Sequence, residues 1–154
     1  MAHIERNILI NAPIQQVFHF VADPVDMLNW LSGLVKNQDV PQGPVEVGQS
    51  WTQFVQVMGR KFEYIREVTA HDPPRRIAWR FTAMGIDGIG YCELEPAEGG
   101  TKIVFGLDYT YPRLLLGGLL DKLLMEKLAN REAQSSLERL KALLEDRQDA
   151  AAPG

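Results

Sequence analysis

The sequence predicts an α+β domain: a curved antiparallel sheet of about seven strands closed around one long C-terminal helix. Three observations point there. From Pro112 to about Asp146 the chain is rich in Leu, Glu, Lys, Arg and Ala, and no proline follows until Pro153, as one long helix requires. Between Leu34 and Tyr109, six segments alternate apolar and polar residues with a period of two, the pattern of half-buried strands. Their connections, among them Gly59-Arg60, Asp72-Pro73-Pro74 and Glu98-Gly99-Gly100, are short enough to demand antiparallel neighbours.

In chain order, His3 to Asn11 alternates with Ile4, Ile8 and Ile10 on one side and reads as the first strand. Asn11 is expected to cap a helix starting near Pro13, with Val17, Phe18 and Val21 as its apolar stripe and Asp23-Pro24 as its end. A second short helix is expected from Pro24 to about Leu31. Leu34 to Val40 reads as an edge strand closed by the Pro41-Gln42-Gly43-Pro44 turn. Gln49 to Met58, Lys61 to Ala70, Arg75 to Met84, Gly88 to Glu95 and Thr101 to Tyr109 complete a six-strand meander. The glycines from Gly85 to Gly90 join two strands, so they read as hairpin glycines, not as a phosphate-binding loop.

The long helix changes character along its length. Stepping about 100° per residue, its second half gathers Ala129, Ala133, Ser136, Leu137, Leu140, Leu143 and Leu144 on one face. That face is small at mid-length, so a sheet packed there leaves space. Leu116, Leu120, Leu123, Leu124 and Leu128 fall on nearly the opposite side of the first half. Either the helix is broken near Gly117 and Gly118, or these leucines offer a second apolar surface.

The totals bound the function. A chain of 154 residues, 45% hydrophobic and 23% charged, makes one domain, expected over residues 1–147, with residues 148–154 expected as a disordered tail. A net charge of −4 without any basic run argues against nucleic acid as a partner. Cys92 is the only cysteine, which excludes an intramolecular disulfide and fits a reducing compartment. With no leader-like segment and no apolar run near the roughly 18 to 20 residues of a membrane span, the expectation is a cytoplasmic protein without an integral membrane segment. His3, His19 and His71 are isolated in sequence, so no metal site and no cofactor are expected.

Taking the more apolar parity of each strand as inward places Trp51, Val55, Phe62, Tyr64, Val68, Trp79, Phe81, Cys92, Phe105, Leu107 and Tyr109 toward the helix. Arg66 shares the parity of Tyr64, and Gln53 that of Trp51. A curved sheet over a helix with small residues at mid-length encloses a cavity instead of a solid core.

Several stretches together resemble the START-like, or SRPBCC, superfamily. They are Ile8-Leu9-Ile10-Asn11-Ala12-Pro13 with Val17-Phe18 behind it, Val21-Ala22-Asp23-Pro24 with Trp30, Val47-Gly48, Pro73-Pro74-Arg75-Arg76-Ile77, Gly99-Gly100-Thr101 and Leu137-Glu138-Arg139-Leu140-Lys141. Within it the chain most resembles the bacterial polyketide cyclase/dehydrase and lipid-transport branch, from Ile4 to Glu145. The resemblance implies a helix-grip fold with a hydrophobic ligand cavity between sheet and long helix. It leaves the chemistry open, because the superfamily contains carriers, cyclases and sensors.

Polar groups inside such a cavity carry the information, since a buried charge persists only when paired or used. Arg66 is the first candidate: it holds a carboxylate or carbonyl of a ligand, forms a salt bridge with Asp108, Glu93 or Glu126, or sits on the other parity and faces outward. Tyr64 and Asp108 are the candidate acid/base groups beside it. Trp30, Trp51 and Trp79 are stacking surfaces or core, and Cys92 reads as a small buried hydrophobe.

Three functions follow. The first is binding of an apolar or aromatic molecule, such as a lipid, quinone or polyketide, against Trp30, Trp51, Tyr64, Arg66, Trp79, Phe81, Cys92, Phe105, Tyr109, Ala129 and Ala133. The second is a metal-free polyketide cyclase or dehydratase using Arg66, Tyr64 and Asp108. The third is an interaction module, a homodimer included, that docks through Leu116, Leu120, Leu124 and Leu128.

Overall fold

The computed structural model describes residues 2–42, 45–57, 59–83, 86–110 and 119–151. Strand β1 (Ala2–Ile10) leads into helices α1 (Ile14–Ala22) and α2 (Pro24–Trp30). Strands β2 (Leu34–Gln38), β3 (Ser50–Val57), β4 (Arg60–Asp72), β5 (Arg76–Ala83), β6 (Ile86–Ala97) and β7 (Gly100–Thr110) follow, and α3 (Leu119–Ala151) closes the order. The seven strands form one sheet in the order β1-β7-β6-β5-β4-β3-β2, every neighbouring pair antiparallel. This is the helix-grip arrangement the sequence predicts: a meander whose last strand returns to pair with the first.

Local chemistry explains the joints. Asp23 is extended, as a residue before proline prefers, and its carboxylate accepts the Val25 N–H at 2.9 Å, so it ends α1 and caps α2. Asn11 does not cap α1. Pro13 occupies the cap position without a side-chain bond, and the Asn11 N–H donates to Glu145 of α3 at 3.0 Å. Lys141 reaches the Leu9 carbonyl at 2.9 Å and Glu145 at 2.6 Å, so the end of β1 is clamped to α3 by two side chains one helical turn apart. At the β6–β7 turn Gly100 has φ 148°, and its Cα lies against the Ile10 and Asn11 backbone with no room for a Cβ.

Several boundaries differ from expectation. β6 begins at Ile86, two residues before the expected start at Gly88, and keeps glycine at 88 and 90 inside the strand; Gly85 is outside the described residues. The reason is steric, because a Cβ at Gly88 would stand 2.5 Å from the Phe81 ring and 2.7 Å from the Asp108 carbonyl oxygen. β2 stops at Gln38, ahead of Asp39 at φ 59°, and is bulged between Leu34 and Lys36. The expected helix start at Pro112, with Leu116, Gly117 and Gly118, lies outside the described residues, as do Gly43 and Pro44. At its other end α3 continues past Asp146 to Ala151, into the stretch expected as a tail.

One buried cluster holds the layers together. Ile10, Val17, Val21, Met27, Trp30, Ile77, Trp79, Ile103, Leu137, Leu140 and Leu144 are all essentially sealed from solvent. The three leucines occupy the predicted face of α3, where burying each is worth about 1.5–3 kcal/mol.

Candidate functional site

Where α3 turns small, the packing opens. A cavity of about 210 Å³ lies between the helix and the concave face of the sheet. The sheet supplies Val55, Tyr64, Arg66, Phe81, Phe105, Leu107 and Tyr109; α3 supplies Leu128, Ala129, Glu132, Ala133 and Ser136. Leu31 and Ser32, after α2, close one side. The Ser32 N–H donates to the Ser136 hydroxyl at 2.8 Å, which donates to the Glu132 carbonyl at 2.8 Å, so that loop is tied to the helix at the cavity wall.

The walls are mostly apolar, and the charged side chains on them are Glu132 from the helix and Arg66 from the sheet. β4 places it opposite Trp51 on one side and Phe81 on the other. Its side chain lies diagonally, with Nε donating to Gln53 Oε1 at 2.6 Å and the guanidinium 5.3 Å from the Trp79 ring centre. Burial pushes its pKa down to about 10, against the opposing influence of Cys92 and Tyr64. It remains a cation at neutral pH. No carboxylate among the described residues forms an ion pair with it, so the salt bridges expected as its alternative role are not made: Glu93 pairs with Arg76, and Asp108 bonds His3 at 2.5 Å.

Tyr64 lies edge-on to Phe81, with ring centres 6.0 Å apart. Its pKa is raised by burial, partly offset by Arg66, which keeps the hydroxyl protonated.

Of the residues expected on the wall, Tyr64, Arg66, Phe81, Phe105, Tyr109, Ala129 and Ala133 line the cavity. Trp30, Trp51, Trp79 and Cys92 do not; they are buried in the cluster that contains Leu137 and Leu140. Inward parity fixes the face of the sheet but does not say which inward residues reach the cavity surface, and these four pack behind or beside those that do. Trp79 forms a second layer beneath Arg66, and Trp30 meets Phe105 edge-on at 6.0 Å. Burial pushes the Cys92 thiol pKa up, so it stays an unreactive hydrophobe.

Two expectations need correction. Asp108 points away from the cavity, on the face of β7 that pairs with His3, so it cannot work with Tyr64. Phe62 is inward by parity but 37% exposed, because it lies near the end of β4.

Glu132, Leu31 and Ser32 were not singled out by the sequence reading. A signal for Glu132 exists: it stands three residues after Ala129 and four before Ser136, in the quadrant of the small residues. Of the leucines expected on a separate face, Leu123 and Leu124 are exposed and Leu128 lines the cavity. Leu116 and the side chain of Leu120 are outside the described residues. His19 lies on a surface cleft beside His71, whose ring packs on Phe18 with centres 5.6 Å apart. Among the described residues no group of acidic, histidine and cysteine side chains could hold a metal ion, and no helix is long and apolar enough to cross a membrane.

A meander wrapped around one long helix, with an apolar cavity between them, defines a helix-grip protein. The family model described as polyketide cyclase/dehydrase and lipid transport matches residues 1–145, and the chain belongs to that family. Among solved structures, the Zhui aromatase/cyclase from a Streptomyces species is 21% identical, with a TM-score of 0.79 over 99% of this chain and 98% of that one. A Thermus thermophilus protein is also 21% identical, with a TM-score of 0.79 over 98% of this chain and 100% of that one. A Chromobacterium violaceum protein is 20% identical, with a TM-score of 0.75 over 94% of this chain and 99% of that one. At these identities the likeness is one of fold. No curated protein sequence matches the chain.

Proposed function

We propose that the protein binds a hydrophobic or aromatic small molecule, such as a lipid, quinone or polyketide-like compound, in the cavity between the sheet and α3. One observation carries the reading: a mostly apolar cavity with the half-buried Arg66 guanidinium on its wall, ion-paired to no carboxylate among the described residues. Burial of apolar surface supplies affinity, and Arg66 selects a ligand with an acceptor group. A cavity of about 210 Å³ exceeds the roughly 150 Å³ cavity that holds benzene elsewhere, so one or two fused rings set the scale of a rigid occupant.

Titration with 2-naphthoate, followed by NMR, tests this. Shifts confined to cavity residues in the wild type, and their loss in Ala133→Trp, are expected. Equal shifts in both would place the ligand elsewhere.

A cyclase or dehydratase is the second reading, favoured by the protonated Tyr64 hydroxyl on the same wall as Arg66. There the guanidinium would polarise a carbonyl and Tyr64 would donate the proton. This reading requires that Tyr64→Phe abolish turnover of a poly-β-ketone while leaving its binding intact; turnover by Tyr64→Phe at the wild-type rate would refute it.

A further inference from the structure

We propose that Gln53 and Asn37 are positioning residues that hold the Arg66 guanidinium by its Nε and leave its two terminal amino groups free for a carboxylate or carbonyl of the ligand. The inference rests on the binding reading above and assigns the part of the protein that aims the cation.

The polarity of the hydrogen bonds makes the case. A guanidinium can only donate, so Gln53 must turn its oxygen to Arg66 Nε, 2.6 Å away. Its amino group then points the other way, to Asn37 Oδ1 at 3.0 Å and the Met27 sulfur at 3.7 Å. Asn37, with its oxygen so used, presents its amino group to the Pro24 carbonyl at 2.6 Å. A backbone carbonyl can only accept. The chain from Pro24 to Arg66 therefore has one allowed direction, and reversing either amide would set donor against donor.

Gln53 is fully buried and is not itself on the cavity wall. A fully buried amide calls for a polar task, and its oxygen has one partner, Arg66. Trp79 adds the second constraint, fixing the guanidinium from the ring side at 5.3 Å. The Nε bond sets the direction and the indole face bounds the guanidinium on one side. What remains is a two-pronged donor that no carboxylate among the described residues occupies.

Two readouts on the full chain test the proposal. The first needs no ligand: proton exchange at Arg66 Nε–H by NMR, assigned through Arg66→Lys. Slow exchange is expected in the wild type and in Gln53→Glu, which keeps the acceptor, and fast exchange in Gln53→Met. The second compares 2-naphthoate with naphthalene. Gln53→Met is expected to weaken naphthoate by about tenfold and leave naphthalene within about twofold. Asn37→Ala, at the half-buried edge strand, is expected to shift both readouts the same way by a smaller amount, and it decides the matter if Gln53→Met does not fold. Unchanged exchange in Asn37→Ala and Gln53→Met would overturn the proposal and leave Gln53 a packing residue. Should the wild type bind neither probe, the binding reading falls, while the exchange rates still decide whether Gln53 holds Arg66.

Discussion

Arg66 concentrates the chemistry of the cavity, and its behaviour at high pH distinguishes a ligand anchor from a structural cation. Burial lowers its folded-state pKa to about 10, below the ordinary 12.5, so the folded chain gives up this proton before the unfolded chain does. The cost of burying the charge is therefore present at neutral pH and is relieved as pH rises past about 10. Binding runs the opposite way, because the anchor is lost with the proton. We expect 2-naphthoate affinity to hold up to about pH 9 and to fall through pH 10, with naphthalene unaffected; calorimetry across that range checks it. Arg66→Met should remove the pH dependence and cost naphthoate about tenfold. The sequence disclosed Arg66 because a charge at the parity of Tyr64 is out of place in a buried face. It did not disclose that Asp108 faces outward to His3, because both faces of β7 near its end carry polar or aromatic residues and only the register of β1 against β7 decides between them.

At the scale of elements, the join between β1, α1 and α3 is the part most exposed to test. Glu145 accepts from Lys141 and from the Asn11 N–H, and both hold its pKa below the ordinary 4.5. A depressed carboxyl stabilises the fold above its unfolded pKa and loses that contribution as pH falls through the folded value. Glu145→Gln is expected to cost about 0.5–1 kcal/mol at pH 7, and almost nothing at the acid end, in urea melts run at both pH values. Gly100→Ala should cost several times more, about 2 kcal/mol or above, because the added carbon meets the Ile10 and Asn11 backbone at an unusual φ of 148°. Helix α3 shows what periodicity can and cannot tell. The buried face of Ala133, Leu137, Leu140 and Leu144 follows from a period of 3.6, whereas Glu132 escaped notice because a carboxylate at the margin of an amphipathic stripe looks like any solvated residue. The glycines at 88 and 90 read both as strand and as hairpin residues for a related reason. Glycine marks a tight turn and a close side-chain approach alike, and only the partners, Phe81 for Gly88 and Leu107 for Gly90, separate them.

Over the whole molecule, the same helix does two jobs. Its leucine-rich C-terminal half seals a solid core, and its small residues at mid-length leave room against Phe81 and Phe105. That division was legible because side-chain volume along one face can be read directly, but the tryptophans could not be assigned to wall or core without knowing how far along the sheet each one sits. Leu123 and Leu124, 58% and 46% exposed, bear on the third reading, a partner docked on the helix. If that face joins two copies, Leu124→Glu should shift the sedimentation coefficient from dimer to monomer, and a monomer before and after removes the idea. The central claim is that the cavity itself takes an apolar guest. The most direct measurement is native mass spectrometry of wild type and Ala133→Trp after incubation with a solvent extract of the host cells. The expected result is an added mass retained by the wild type and missing from the variant. The contradicting result is the same mass on both proteins, or none on either.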